Sequence, residues 1–301
     1  MRVVSVLPSA TEIVAELGHE RDLVGRSAEC DYPPTIRDRA IVMRPKVNDF
    51  SQSSDRIDAR VREVRSRNES LYSLDVELLR ALRPDVLLTQ DLCSVCSVTE
   101  AEVAAACAVA GVTPNVVSLT PRTLQEVWES VDTVARALQD PAAGTRVRRS
   151  LELRTATGAV PARRSRVVVV EWLDPPILAG LWAPDIIERA GGVPVGPKAA
   201  GPGERTTWSE IESLAADLVI LSPCSFSVDR TRHEILQGNL AHPLRALEPP
   251  LGIFLADEAY FSRPGPRLAD GVELVRALLA GARPPGPMPV RRWTPSEVPA
   301  R

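Results

Sequence analysis

The 301-residue chain lacks long apolar runs and is poor in aromatic residues and lysine. No stretch reaches the roughly 18 consecutive apolar residues of a membrane-spanning helix, so we expect no membrane span. The apolar run within residues 1–8 is too short for a signal peptide, which predicts a cytoplasmic protein. If the start is misassigned, a periplasmic or extracellular location is the alternative.

Neither sign of charge dominates the chain. Its 36 basic and 39 acidic residues give a net charge of -3, and Lys46 and Lys198 are the only lysines. This balance gives no electrostatic reason to expect binding to nucleic acid or to an anionic membrane. The sequence also lacks a Ser-His-Asp arrangement, a glycine-rich phosphate loop and a His-Glu-x-x-His motif, so none of these sites is predicted.

Apolar strands and capped helices alternate along most of the chain, as is typical of α/β proteins. One block covers residues 1–120 and a second covers 161–283, and segment 74–88 resembles segment 208–221. Residues 121–160 show no strand signal, and their pattern predicts a long helical connector. Segment 141–144 could interrupt this helix. Residues 284–301 are rich in proline and arginine, which predicts an irregular tail. We therefore expect two Rossmann-like α/β lobes joined by a long backbone helix, with a ligand cleft between the lobes.

The opening segment Val4-Ser5-Val6-Leu7-Pro8-Ser9-Ala10-Thr11-Glu12 resembles the start of cobalamin- and siderophore-type substrate-binding proteins of ABC transporters. Segments 26–34, 71–72, 87–96, 171–175 and 260–268 are similar to a cobalamin-binding-protein-like branch of that family. The family is the helical-backbone metal receptors, or class III periplasmic binding proteins, and the resemblance covers residues 1–280. It implies a solute-binding protein that recognises a corrinoid (cobalamin-like) or another metal chelate in the cleft. If the protein is exported, an ABC permease is the implied partner.

Aromatic residues make up only 4% of the chain, and several fall in loops that follow predicted strands. Flat apolar rings suit the walls of a corrin site, although each ring could instead pack at the edge of a lobe without contacting a ligand. Two arginines near a predicted helix start could hold a ligand carboxylate or phosphate, or simply be solvated. The predicted ligand-binding residues are Tyr32, Trp172, Trp182, Phe226, Tyr260, Phe261, Arg263 and Arg267.

Three of the five cysteines, Cys30, Cys93 and Cys224, also follow predicted strands, and Cys96 follows Cys93 by three residues. Thiolates bind zinc, copper or an iron–sulfur centre, so these four are the predicted metal ligands. The alternatives are burial as small apolar side chains and, in an exported protein, a disulfide between Cys93 and Cys96. Cys107 lies within a predicted helix and is expected to pack in the core.

The thiols support an alternative function on the same fold. In this reading the protein is a cytoplasmic metal-dependent enzyme, with the cysteines as metal ligands and Glu171 as the general base. Glu171 is chosen because it directly follows the apolar strand at 167–170. A metal or cofactor chaperone would use the same thiols without catalysis. We expect a binding protein rather than an enzyme.

Overall fold

The computed structural model of the protein describes residues 1–46, 52–67, 69–91, 98–158, 164–238 and 240–294. The chain divides into two compact units. The first consists of Met1–Ser51, Ile57–Pro121 and Gln125–Glu152, and the second consists of Gln52–Arg56, Arg122–Leu124 and Leu153–Arg301. Each unit contains its own β-sheet, and the α/β fold class predicted from the sequence is confirmed.

The sheet of the first unit has six strands in the order β4-β3-β2-β1-β5-β6. The strands are β1 (Val3–Ser5), β2 (Leu23–Ser27), β3 (Ala40–Pro45), β4 (Tyr72–Leu74), β5 (Val86–Gln90) and β6 (Asn115–Leu119). All neighbouring pairs are parallel except β3 with β4. Its central strands β1 and β5 are buried throughout, as expected for parallel strands covered on both faces.

Six α-helices precede residue 155 in the described chain. They are α1 (Pro8–Glu16), α2 (Ser54–Ser66), α3 (Val76–Leu82), α4 (Glu100–Ala110), α5 (Leu124–Ala137) and α6 (Pro141–Arg154). Short 3₁₀ helices cover Glu20–Asp22 and Pro34–Asp38. Within residues 121–160, which the sequence predicts to be a helical connector, the described residues form α5 and α6 with residues 138–140 between them. Asp140 begins α6, because its Oδ1 accepts a hydrogen bond from the backbone N–H of Ala143 at 2.9 Å.

Helix starts show where local sequence signals suffice. Thr99 and Glu102 match the sequence pattern of a capping box, and the box is present at α4 with both reciprocal hydrogen bonds. Ser9 and Glu12 match the same pattern, but the box that they predict is wrong, because α1 starts at Pro8 and its N-cap residue is Leu7. Proline favours the first helical position, which places Ser9 two residues past the N-cap.

The sheet of the second unit has seven strands, six of them in the order β10-β8-β7-β11-β12-β13, while β9 pairs with β7. The strands are β7 (Arg166–Leu173), β8 (Pro176–Leu178), β9 (Val193–Pro194), β10 (Glu204–Arg205), β11 (Leu218–Leu221), β12 (Gly252–Ala256) and β13 (Val290–Trp293). Strands β7, β11 and β12 are parallel and form its centre. The helices are α7 (Ala183–Arg189), α8 (Trp208–Ser213), α9 (Val228–Gln237), α10 (Ala241–Ala246) and α11 (Leu268–Leu279), with a 3₁₀ turn at Glu258–Tyr260.

Strand β13 corrects the prediction of an irregular tail over residues 284–301. Residues 290–293 pair antiparallel with β12, and the Trp293 side chain is 3% exposed within the core of the second unit. The large apolar area of one buried tryptophan outweighs the proline-rich composition around it. None of the helices that the described residues form is long and apolar enough to cross a membrane.

Candidate functional site

The strongest candidate site lies at the carboxyl ends of β7, β11 and β12 in the second unit. Strand β11 pairs with residues 167–170 of β7, so Glu171 and Trp172 extend beyond the parallel part of the sheet. The segments 222–226 and 257–263 follow β11 and β12 at the same edge. Ligands of open α/β sheets bind beyond the carboxyl ends of the strands, which makes this edge the place to look for binding groups.

The loop after β11 is fixed to β7 by backbone hydrogen bonds. Ser222 N donates to Val170 O at 2.9 Å, and Cys224 N donates to Glu171 O at 3.0 Å. Ser222 Oγ also donates to Asp257 O at 3.1 Å, which joins this loop to the segment after β12. The backbone therefore holds Cys224 beside Glu171, and both side chains are partly exposed.

Glu258 joins two loops at this edge through its carboxylate, which is buried. Its Oε1 accepts hydrogen bonds from Arg263 Nε at 3.0 Å and Nη2 at 2.5 Å. Its Oε2 accepts one from Ser225 N at 2.6 Å. A buried carboxylate needs such pairing to offset its desolvation. Because the Arg263 guanidinium already binds Glu258, its assignment to a ligand anion stays a prediction.

An aromatic pair stands next to this hydrogen-bond network. The rings of Trp172 and Phe226 are 5.4 Å apart between centroids and inclined at 57°, a favourable tilted arrangement. Phe226 is 1% exposed, whereas Trp172 is partly exposed. The Trp172 Nε1–H is buried and has no hydrogen-bond acceptor among the residues that the structure describes. The indole nitrogens of Trp128, Trp208 and Trp293 are in the same situation, so this feature does not distinguish Trp172 as a ligand contact.

Three further predicted ligand-binding aromatics lie in the interior of the second unit. Trp182 is buried, and its Nε1 donates to Phe261 O at 2.5 Å. Tyr260 and Phe261 are also buried, and Tyr260 O lies so close to Gly271 that a Cβ atom there would be 2.2 Å away. These rings are packed in this structure, so their contact with a ligand stays a prediction. Arg267 directly precedes α11 and is partly buried.

Glu171 and Gly203 are adjacent in the second unit. A Cβ atom at position 203 would lie 2.1 Å from Glu171 Oε1 and 3.1 Å from Leu178 O, so glycine is required for this close approach. The Glu171 carboxylate is thus held on one side by backbone. Its predicted role as a general base applies only if the protein is an enzyme, and it stays a prediction.

In the first unit, Cys30 is buried in a small polar cluster beyond β1. The Thr11 hydroxyl lies 3.0 Å from Cys30 Sγ and 2.9 Å from Ser5 Oγ. Arg26 fixes the same loop, because its Nη1 donates to Cys30 O at 3.1 Å and its Nη2 to Arg37 O at 2.8 Å. Tyr32, predicted as a ligand wall, is 46% exposed in this loop.

The predicted metal ligands are distributed over both units. Cys30 belongs to the first and Cys224 to the second, and the described residues contain no group of three His, Cys, Asp or Glu side chains that could hold a metal ion. Cys93 and Cys96 lie outside the described residues, so the thiol site stays a prediction. Cys107 is buried in α4 as expected, and this burial raises the pKa of its thiol.

Sequence reasoning missed Glu258, Ser225 and Arg230 at this edge. Asp257 and Glu258 directly follow β12, which is the same signal that identified Glu171. Arg230 could not be identified in this way, because it lies within α9 and reaches the site only through the packing of its guanidinium, with Cζ 4.5 Å from the centroid of the Phe226 ring.

Comparisons with known proteins identify the fold. No protein-family model and no curated protein matches the chain. A periplasmic heme-binding protein from Pseudomonas aeruginosa is similar at 18% identity, over 97% of this chain and 98% of that one, with a TM-score of 0.68. The periplasmic vitamin B12-binding protein BtuF of Vibrio cholerae is similar at 18% identity, over 93% and 96% of the two chains, with a TM-score of 0.63.

A third similar structure is the periplasmic heme-binding protein BhuT in complex with two hemes. It shares 19% identity over 93% of this chain and 98% of that one, with a TM-score of 0.63. Identities this low establish the fold alone. The chain has the fold of class III periplasmic binding proteins, which the resemblance of its opening segment predicted.

Proposed function

We propose that this protein is a solute-binding protein of the ABC-transporter type and that its ligand is a corrinoid or tetrapyrrole metal chelate. The compared proteins support a macrocyclic ligand, because they bind heme or vitamin B12. A fold can host unrelated ligands, so the proposal also needs support from the site itself.

That support comes from Trp172. Trp172 is partly exposed beyond the parallel part of the sheet, and its ring packs against the buried ring of Phe226. A partly exposed indole of this kind offers a flat apolar surface that suits a macrocyclic ligand. We therefore place the ligand against Trp172, at the carboxyl ends of β7 and β11.

Two kinds of ligand belong to this chemical class, a corrinoid and heme. The resemblance of later segments, such as 87–96 and 260–268, to a cobalamin-binding-protein-like branch favours a corrinoid, whereas two of the three compared proteins are named for heme. Both forms present a flat ring system with polar groups at the periphery. The corrinoid is the form that the sequence resemblance supports, and heme is its competitor for the same surface.

We also propose that the protein works outside the cytoplasm and passes its ligand to an ABC permease. All three compared proteins are periplasmic. This supports the periplasmic alternative over the cytoplasmic location expected from the first residues. Cell fractionation with an antibody against the protein tests it, and recovery only with cytoplasmic markers would contradict it.

No observation on the described residues favours the enzyme or chaperone alternative over a binding protein. Both depend on a thiol metal site, and two of its four members, Cys93 and Cys96, lie outside the part of the chain that the structure describes. The metals expected for such a site, zinc, copper or an iron–sulfur centre, belong to that alternative.

The experiment is a titration of the purified protein with cyanocobalamin and, separately, with hemin. We expect a saturable change in the absorbance of one ligand and a rise in the melting temperature. A ligand that binds only the native state at 100 times its Kd adds about 2.7 kcal/mol to the free energy of unfolding. Unchanged absorbance and melting temperature with both ligands would contradict the proposal.

A further inference from the structure

A chain of contacts in the second unit leads from Trp172 to the first turn of α2. It begins with the tilted pair of Trp172 and Phe226 rings, 5.4 Å apart. The guanidinium carbon of Arg230 then lies 4.5 Å from the centroid of the Phe226 ring, within the range of a cation–π interaction. The site's aromatic pair is thereby connected to helix α9, which carries Arg230.

The second half of the chain of contacts is made by Glu234, one turn further along α9. Its Oε2 pairs with Arg230 Nη1 at 3.0 Å. Its Oε1 accepts hydrogen bonds from Ser54 N at 2.7 Å and Ser54 Oγ at 2.8 Å. Arg230 Nη2 also donates to Gln52 O. Glu234 and Arg230 therefore hold the first turn of α2 and the two residues before it.

The charges in this arrangement make the position of Arg230 and the start of α2 depend on each other. Ser54 starts α2, and Glu234 supplies from another helix the negative charge and the acceptor that a helix start requires. Ser54 and Glu234 are buried and Arg230 is partly buried, so the buried carboxylate would lose this counter-charge if Arg230 moved away. Removing one partner of a buried ion pair is strongly destabilising. The position of Arg230 over Phe226 is thus fixed together with the start of α2.

We propose that Arg230 and Glu234 are positioning residues that couple the ring of Trp172 to the first turn of α2, so that a ligand bound against Trp172 stabilises that turn. The ligand half of this statement rests on the proposed function. The coupling itself is a property of the unliganded protein. If the bound ligand favours the ordered form of the turn by some factor, then by linkage the ordered turn raises the affinity for the ligand by the same factor.

The first experiment needs no ligand and measures amide hydrogen exchange of residues 54–58 by mass spectrometry. We expect Trp172→Leu and Glu234→Gln each to speed this exchange by about five-fold or more, the lower end of typical coupling between sites. Trp208→Leu, which removes a partly buried tryptophan from α8 in the same unit, is the matched control. The amides of β11 report global destabilisation and should stay unchanged in all three variants.

Two results would overturn the coupling. One is exchange of residues 54–58 in Trp172→Leu equal to that in wild type. The other is an equal increase in Trp172→Leu and Trp208→Leu, which would indicate general loosening of the unit rather than a specific connection.

The second experiment adds the ligand. With whichever of cyanocobalamin or hemin binds, we expect slower exchange at residues 54–58. We also expect a higher Kd for Ser54→Ala, raised by at most the same factor because the hydrogen bond from Ser54 N to Glu234 remains. Ser66→Ala, at the other end of α2, should bind like wild type. An unchanged Kd in Ser54→Ala would overturn the ligand half. If neither ligand binds wild type, the proposed function fails, while the first experiment still decides the coupling.

Discussion

The buried carboxylate of Glu258 joins the loops at the carboxyl edge of the second unit's sheet. Arg263 was expected to hold a ligand anion because it is a basic residue near a helix start. The structure pairs it with Glu258, five residues earlier, through two hydrogen bonds. The 3₁₀ turn at Glu258–Tyr260 brings the two side chains together, and no helical or strand periodicity in the sequence predicts that turn.

The sequence also does not predict which of the aromatic residues are buried. Trp172 and Phe226 both follow central strands, and the sequence predicts the same role for each. Phe226 is buried in contact with Trp172 and Arg230, whereas Trp172 is partly exposed. Which ring remains exposed depends on side chains from another helix, so position after a strand identifies candidate residues but not their burial.

His19 in the first unit lies against two carboxylates, with Nδ1 2.7 Å from Asp22 Oδ2 and Nε2 3.5 Å from Asp140 Oδ2. The hydrogen bond from His19 is the largest influence on Asp22 and lowers the pKa of its carboxyl below the usual value. A lowered folded pKa contributes stability that is fully present above the unfolded pKa. That stability is lost as the pH falls through the folded pKa.

We therefore expect Asp22→Asn to unfold at lower urea concentration than wild type at about pH 6, with a difference that shrinks towards about pH 3. Urea unfolding followed by circular dichroism across this range measures it. Asp38→Asn is the control, since Asp38 is exposed and paired with the adjacent Arg39. A difference between Asp22→Asn and wild type that is as large at about pH 3 as at about pH 6 would refute this linkage.

Helices and strands that are predicted by local sequence signals are also found in the structure. The start of α4, the buried strands β7 and β11, and the closing helix α11 all follow from capping residues and apolar runs. Strands β3 and β13 were not predicted, and both are stabilised by tertiary contacts: β3 pairs with β2, and β13 pairs with β12 and buries Trp293.

The capping box of α4 gives a prediction at this scale. Thr99 Oγ1 accepts a hydrogen bond from Glu102 N at 3.2 Å, so Thr99→Ala should lower the free energy of unfolding by about 1 kcal/mol. Urea unfolding measures this. Thr145→Ala is the matched control, because Thr145 lies on the exposed side of α6 and its hydroxyl donates to Pro141 O. A loss in Thr145→Ala as large as that in Thr99→Ala would contradict the assignment.

For the whole molecule, alternating strands and helices predicted the α/β class, and the opening segment predicted the class III periplasmic-binding-protein fold. Both are confirmed. The ligand could not be obtained in the same way. Proteins of this fold that bind heme and vitamin B12 are equally dissimilar to this chain, each at 18% identity. Ligand choice depends on a few side chains at the strand ends, and these vary without changing the fold.

The measurement that tests the central claim most directly is the Kd of Trp172→Leu for the ligand that wild type binds, cyanocobalamin or hemin, beside that of Trp208→Leu. Tertiary structure should first be confirmed in both variants by near-ultraviolet circular dichroism. We expect Trp172→Leu to weaken binding about ten-fold, which corresponds to roughly 1.4 kcal/mol, and Trp208→Leu to bind like wild type. Equal affinity in wild type and both variants would contradict a ligand site built on Trp172.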